Sequence, residues 1–207
     1  MDNDFVRINI TFKLPIEIAQ SVADIGNDIS KKDETYFVVD NKNIFAHITI
    51  YSPEYPAGNL EKVLKTVENI AKEFSAPKFI FQKVKAGQGF VTLDFDYSEE
   101  IKRIHETIVE KLNPLRENHV RQKYTDSYMM KFSEEKNENI RKYGYPDSMR
   151  FYHPHMSLAR LKNEDLAERI AKEIYWPVKE FKVEKLGAYR MGEHGTCVEL
   201  LKDFALG

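Results

Sequence analysis

Two four-residue strings, His47-Ile48-Thr49-Ile50 and His155-Met156-Ser157-Leu158, repeat one pattern 108 positions apart: histidine, apolar residue, hydroxyl residue, apolar residue. Successive side chains on a strand point to opposite faces. Ile48 and Ile50, like Met156 and Leu158, therefore belong to a core. His47 with Thr49, and His155 with Ser157, share the other face. A chain that carries this twice is constrained to two strands, each buried on one side and chemically furnished on the other. The natural arrangement is two half-sites meeting across a cleft.

The surrounding pattern agrees. Val6, Ile8, Ile10, Phe12 and Leu14 alternate with Arg7, Asn9, Thr11 and Lys13, which predicts a half-buried strand. Pro15 opens a helix with the stripe Ile18, Val22, Ile25 and Ile29. An extended stretch at Tyr36 to Val39 precedes the first motif strand, expected over residues 44–51. Asn59 is the expected cap of a second helix, with stripe Leu60, Val63, Leu64, Val67, Ile70 and Phe74. Residues 79–84 and 90–95 read as a hairpin. Ser98, Glu99 and Glu100 start a third helix, with acids where the dipole favours them. Residues 116–150 are polar and tyrosine-rich, with a helix expected only near 133–142, and read as an insertion or lid. The second motif strand is expected over 151–161, a helix follows Asn163, and two strands at 181–189 and 197–204 close the chain. This order predicts an α+β fold of mostly antiparallel sheets with outer helices. Strand, His-x-hydroxyl, loop, Asn and helix occur in the same order at 45–74 and 153–174.

Composition narrows the function. The chain has 207 residues, 42% hydrophobic and 31% charged, as an ordinary globular protein has. A formal charge of −2 and a pI of about 6.3 argue against bulk binding of duplex DNA. One cysteine, Cys197, allows no intramolecular disulfide. The start, Met1-Asp2-Asn3-Asp4, lacks the look of a signal peptide, and no apolar run is long enough for a membrane helix. The expectation is a cytoplasmic protein with no membrane partner. A monomer is expected.

Paired histidines suit proton transfer, since imidazole titrates near pH ~6.5 and one can be neutral while the other is protonated. Thr49 and Ser157 lie about 6–7 Å along the strand from their histidines, too far to partner them but well placed to donate to a group bound between. A phosphate fits this arrangement, because its oxygens gain charge in the transition state. The chemistry needs no metal or cofactor.

Both motifs, with their flanking strands and helices, resemble those of the two-histidine (2H) phosphoesterase superfamily, which includes 2′–5′ RNA ligase-like proteins and cyclic phosphodiesterases. The resemblance implies one bilobal domain over residues 1–207 with pseudo-two-fold symmetry and a central cleft. It implies metal-independent chemistry on 2′,3′-cyclic phosphates or 2′–5′ links of RNA ends or small nucleotides, reversible in some members as ligation. His47 and His155 then form the acid–base pair, and Thr49 and Ser157 bind phosphate.

Other residues carry weaker signals. Tyr51, on the face of His47 by simple alternation, is a candidate to stack on a base. His153 is expected on the strand face of His155; His-Pro-His could supply two metal ligands, but no third ligand completes a familiar spacing. Arg160 is a phosphate candidate, although alternation points it away from His155. His105 reads as a core-edge histidine, His119 and His194 as solvated loop residues, and Cys197 as a packing residue. A non-catalytic module that holds an RNA end or nucleotide in the same cleft is the alternative function, and an α+β scaffold with accidental motifs is the third.

Overall fold

The computed structural model describes residues 4–207; the acidic start at residues 1–3 lies outside them. Among the described residues the order is β1 (Phe5–Lys13), α1 (Ile16–Ser30), β2 (Thr35–Val38), β3 (His47–Tyr51), β4 (Glu54–Pro56), α2 (Leu60–Ala71), β5 (Lys78–Gly87), β6 (Phe90–Phe95), α3 (Glu99–Leu112), α4 (Asp126–Met129), α5 (Glu134–Tyr143), β7 (His155–Leu161), α6 (Glu164–Glu173), β8 (Glu180–Lys182), β9 (Lys185–Met191) and β10 (Cys197–Ala205). This is the expected α+β class, with every strand pairing antiparallel. Among the described residues no helix is long and apolar enough to cross a membrane.

Two five-stranded sheets form. One runs β10-β9-β1-β3, with β4 also on β1; the other runs β2-β7-β6-β5-β8. Each sheet thus mixes strands from both ends of the chain, and each holds one motif strand. β1 is central rather than half-buried: Ile8, Asn9, Ile10, Thr11 and Phe12 are all fully buried. Its apolar side joins a continuous core with Ile48, Ile50, Phe79, Leu93, Met156 and Leu158. Its polar side, Arg7, Asn9 and Thr11, faces the direction taken by Thr49.

Caps and close approaches set the frame. Ser98 and Asn163 accept from the backbone N–H three residues on, as expected for N-caps. Asn59 makes no such bond; its amide instead donates to the Leu115 carbonyl (3.0 Å) and to Glu117 (2.8 Å), tying α2 to the chain beyond α3. A Cβ on Gly26 would lie 2.8 Å from the Val39 carbonyl and 3.1 Å from that of Leu158, so α1 presses its backbone directly onto β7.

The segment 116–150 is anchored. Arg116 is buried; its guanidinium donates to Asn113 Oδ1 (3.0 Å) and to the carbonyls of His119 and Lys142. Ile140 enters the interior, and the segment brings Tyr145 to the cleft.

Candidate active site

A β-bulge shapes each motif strand. On β3, Thr49 faces Thr11 and Tyr51 faces Ile10, leaving Ile50 without a partner. On β7, Ser157 faces Thr92 and Ala159 faces Val91, leaving Leu158 without one. The extra residue stands three places after the histidine in both. The carbonyls turned out of the ladder are satisfied elsewhere: that of Ile50 accepts from His105 Nδ1 (2.9 Å) and that of Leu158 from the Val39 amide (3.0 Å). Beyond a bulge the alternation changes phase. Tyr51 therefore turns inward, and the fifth residue after each histidine, Ser52 or Arg160, returns to the histidine's face.

His47, Thr49, His155 and Ser157 line one cavity of about 160 Å³, together with Arg7, Ser52, Phe90, Tyr145, Met191, His194 and Gly195. A larger hollow of about 1110 Å³, bounded by Lys13, Ile16, Phe45 and Phe181, contains no histidine. The two sheets meet beside the small cavity, where the Tyr152 hydroxyl donates to the Thr49 carbonyl (3.0 Å).

The two imidazoles are held alike. His47 Nδ1 contacts the Phe45 carbonyl at 2.8 Å, and His155 Nδ1 contacts that of His153 at 3.1 Å. A carbonyl only accepts, so Nδ1 carries the proton in both rings. Nε2 is the nitrogen left for a ligand, a base when the ring is neutral and an acid when it is charged. Burial lowers the pKa of His47 to about 4; the Phe45 carbonyl raises it and the His155 charge lowers it further. Burial also lowers the pKa of His155, against the opposing pull of the His153 carbonyl, Asp94 and Asp147.

Thr49 is oriented by a residue the motif pattern does not reveal. Asn9, fully buried, donates its amide to Thr49 Oγ1 at 2.9 Å. With that oxygen accepting, the hydroxyl proton is available to a ligand. The signal was Asn9 on the polar face of β1, which reads as solvent-facing until β1 is known to be central.

The weaker candidates separate. Tyr51 is a correction: it is fully buried, its hydroxyl donates to the Tyr143 carbonyl (2.5 Å), and it presents no face to a base. His153 precedes β7 instead of lying on it. Its ring stacks on that of His155 (centroids 4.9 Å) and its Nε2 lies 3.3 Å from Asp94, itself bonded to Thr92. Arg160, contrary to simple alternation, shares the face of His155, and it stands at the cleft rim. Its guanidinium lies over Tyr36 (4.9 Å) and Phe90 (4.6 Å) and contacts His194 Nδ1 (3.2 Å). None of these three side chains lines the cavity itself. Among the described residues, no group of three or more histidine, cysteine, aspartate or glutamate side chains is placed to hold a metal ion.

The remaining histidines also differ from expectation in part. His194 lines the cavity, and His119 is packed on Phe5 (3.6 Å) and bonded to Glu54 (3.0 Å) rather than solvated. Cys197 is buried, with its thiol pushed up to about 12 by that burial, as suits a packing residue.

His105 is structural. Its Nδ1 donates to the Ile50 carbonyl and its Nε2 accepts from the Met149 amide (2.8 Å), so the ring is neutral; burial holds its pKa near 4. The unfolded chain, titrating near pH ~6.5, takes up the proton first as the pH falls, so stability is lost from about pH 6.5 down towards 4. His105→Leu strands two buried backbone groups and should cost about 2–4 kcal/mol at pH 7. The variant should also lose less stability than the parent between pH 7 and pH 5. Urea unfolding at both values checks this; equal losses in the two proteins would contradict it.

The comparisons agree with this architecture. TT0787 of Thermus thermophilus superposes with a TM-score of 0.61 at 15% identity over 97% of each chain. E. coli LigT complexed with 3′-AMP gives 0.56 at 14% identity over 98% of each, and LigT complexed with NADP+ gives 0.53 at 14% over 98% of each. At such identities the likeness is one of fold. No curated protein matches the chain. The model of the 2′-5′ RNA ligase superfamily matches residues 15–195, which span both motifs and most of the sequence; the chain belongs to that superfamily of phosphoesterase- and ligase-type enzymes.

Proposed function

We propose that this chain is a metal-independent phosphoesterase that opens 2′,3′-cyclic phosphates or cleaves 2′–5′ phosphodiester links at RNA ends or on small nucleotides. The observation that carries the reading is the pair of Nε2 atoms, each freed by a carbonyl on Nδ1, belonging to rings on one small cavity beside two hydroxyls. At about 160 Å³ the cavity is smaller than a pocket that encloses a drug-sized ligand, so it suits a terminal phosphate with the rest of the molecule outside. LigT, a protein of the same fold, is found complexed with 3′-AMP, ATP and phosphate, which supports a nucleotide phosphate as ligand.

In the hydrolytic direction His47, held neutral by burial, takes a proton from water through Nε2 as the water oxygen attacks phosphorus. His155 Nε2 gives a proton to the departing ribose oxygen as the P–O bond breaks. Thr49 and Ser157 donate to the phosphoryl oxygens, where charge accumulates. With the adjacent ribose 3′-hydroxyl in place of water, cleavage of a 2′–5′ link leaves a 2′,3′-cyclic phosphate and a free 5′-hydroxyl, and the reversal of that step, with the two histidines exchanging roles, is ligation.

Two measurements test this. Purified protein with chelator, given 2′,3′-cyclic nucleotides and 2′–5′-linked dinucleotides, should yield nucleoside monophosphates or cleaved products. No turnover of either class, with tight binding, would make the cleft a binding module. The working form has His47 neutral and His155 protonated, and both pKa values lie below the usual one. The kcat/KM profile should therefore be bell-shaped with its maximum below pH 6.5, on the acid side of the neutral optimum that unperturbed histidines predict. A maximum above pH 7.5 would contradict the assignment of these two groups.

A further inference from the structure

Beside the histidines, one wall of the cavity continues into a cluster of cations with too few anions. Arg7 lines the cavity; β1 pairs with β4 so that Arg7 faces Glu54. Arg121 donates to Glu54 at 2.7 Å, and His119 uses the other carboxylate oxygen. Lys123 stands over the rings of Tyr124 (5.3 Å) and Tyr128 (5.0 Å). Arg7, Arg121 and Lys123 thus share one carboxylate, which is already engaged twice.

The hydrogen bonding shows the same shortfall. Arg7 Nε, Arg121 Nη1 and Ser52 Oγ are buried with no partner among the described residues. Ser52 lines the cavity with Arg7. Burial of like charges is unfavourable unless an anion completes the site. The effect registers on the cations: burial lowers the pKa of Lys123 to about 8, with Arg121 and Arg7 adding to it, and burial with Arg121 lowers that of Arg7.

We propose that Arg7, Arg121 and Lys123 form a second anion subsite, joined to the histidine cavity through Arg7 and Ser52, that receives a second phosphate group of the ligand. This rests on the reading of the histidine cavity as a phosphate site. The preferred ligand then carries two phosphates: one between His47 and His155, the other against the cation wall. The second is either a 5′-phosphate on the same nucleotide or the phosphate linking it to its neighbour.

Calorimetric titration at fixed salt separates the cases. The ligands are 3′-AMP, adenosine 3′,5′-bisphosphate, and a diadenosine dinucleotide ending in a 3′-phosphate. At least one two-phosphate ligand should bind about tenfold more tightly than 3′-AMP, the strength of one charge-assisted contact. The arm that gains identifies the source of the second phosphate. Arg121→Gln and Lys123→Glu should each remove most of that preference. Lys123 keeps part of its side chain in solvent, so its variant remains informative if Arg121→Gln fails to fold. Equal affinity for all three ligands, or a preference that survives Lys123→Glu, overturns the subsite. A preserved preference in the parent protein without turnover of any cyclic or 2′–5′ substrate overturns the hydrolytic reading and leaves the subsite standing.

Discussion

Replacing His47 or His155 by alanine should lower turnover of a 2′,3′-cyclic nucleotide by about 10²–10⁴-fold, the contribution of one positioned general acid or base. Each imidazole has a single nitrogen free for the ligand, since Nδ1 is committed to the carbonyl two residues earlier. The neighbouring histidines are committed elsewhere: His153 is turned to Asp94, and His194 is engaged by Arg160. The double variant should be hardly slower than either single one, because a proton relay loses its function when either end is removed. The loss should fall on kcat more than on KM, since Thr49 and Ser157 remain to hold phosphate. Initial rates on the three variants, with melting curves to verify folding, check this. A variant with residual activity within tenfold of the parent would remove that histidine from the chemistry.

The second large effect is on stability. Arg116→Met should destabilise the protein by about 2–4 kcal/mol, because the buried guanidinium is the donor that ties together the carbonyls of His119 and Lys142 and the side chain of Asn113. For a chain of this size that is a fall of roughly 10 °C in melting temperature. Gly144→Ala should act in the same direction. Its Cβ would collide with Arg116 Nη1, at a φ of +68° that alanine disfavours. Both changes loosen the stretch that delivers Tyr145 to the cavity, so KM should rise alongside the loss of stability. Unchanged melting in Arg116→Met would mean that residues 116–150 are held by something other than this guanidinium.

Much of this was legible in the sequence because periodicity is local. The stripes of α1, α2 and α3 and the two motif strings translate directly into which side is buried, and the alternation of β1 marks its apolar side. The capping roles of Ser98 and Asn163 were visible for the same reason. What could not be read is the pairing of distant segments. β2 joins β7 across more than a hundred residues, and β9 joins β1, so the sheets do not follow the chain halves that the repeat suggested. The polar face of β1 could not be distinguished from a solvated one without β3 and β4 beside it, which hid Arg7 and Asn9. The bulges at Ile50 and Leu158 were silent as well, and they reversed the expectation for Tyr51 and Arg160 together. Asn59 was given a cap's role on residue type and position, yet its amide satisfies Leu115 and Glu117, partners some sixty positions away.

The unpaired residue in each motif strand separates two kinds of position. Upstream of it, histidine and hydroxyl are fixed by regular ladder geometry and by their own backbone. Downstream, the alternation is shifted by one, and the fifth residue looks onto the same cleft at a place where an exchange of side chain leaves the proton-transfer geometry undisturbed. The two downstream positions differ, a short neutral serine on one side and a long cationic arginine on the other. An approximately symmetric cleft thereby acquires a polarity, with its cationic end on the side of the second motif.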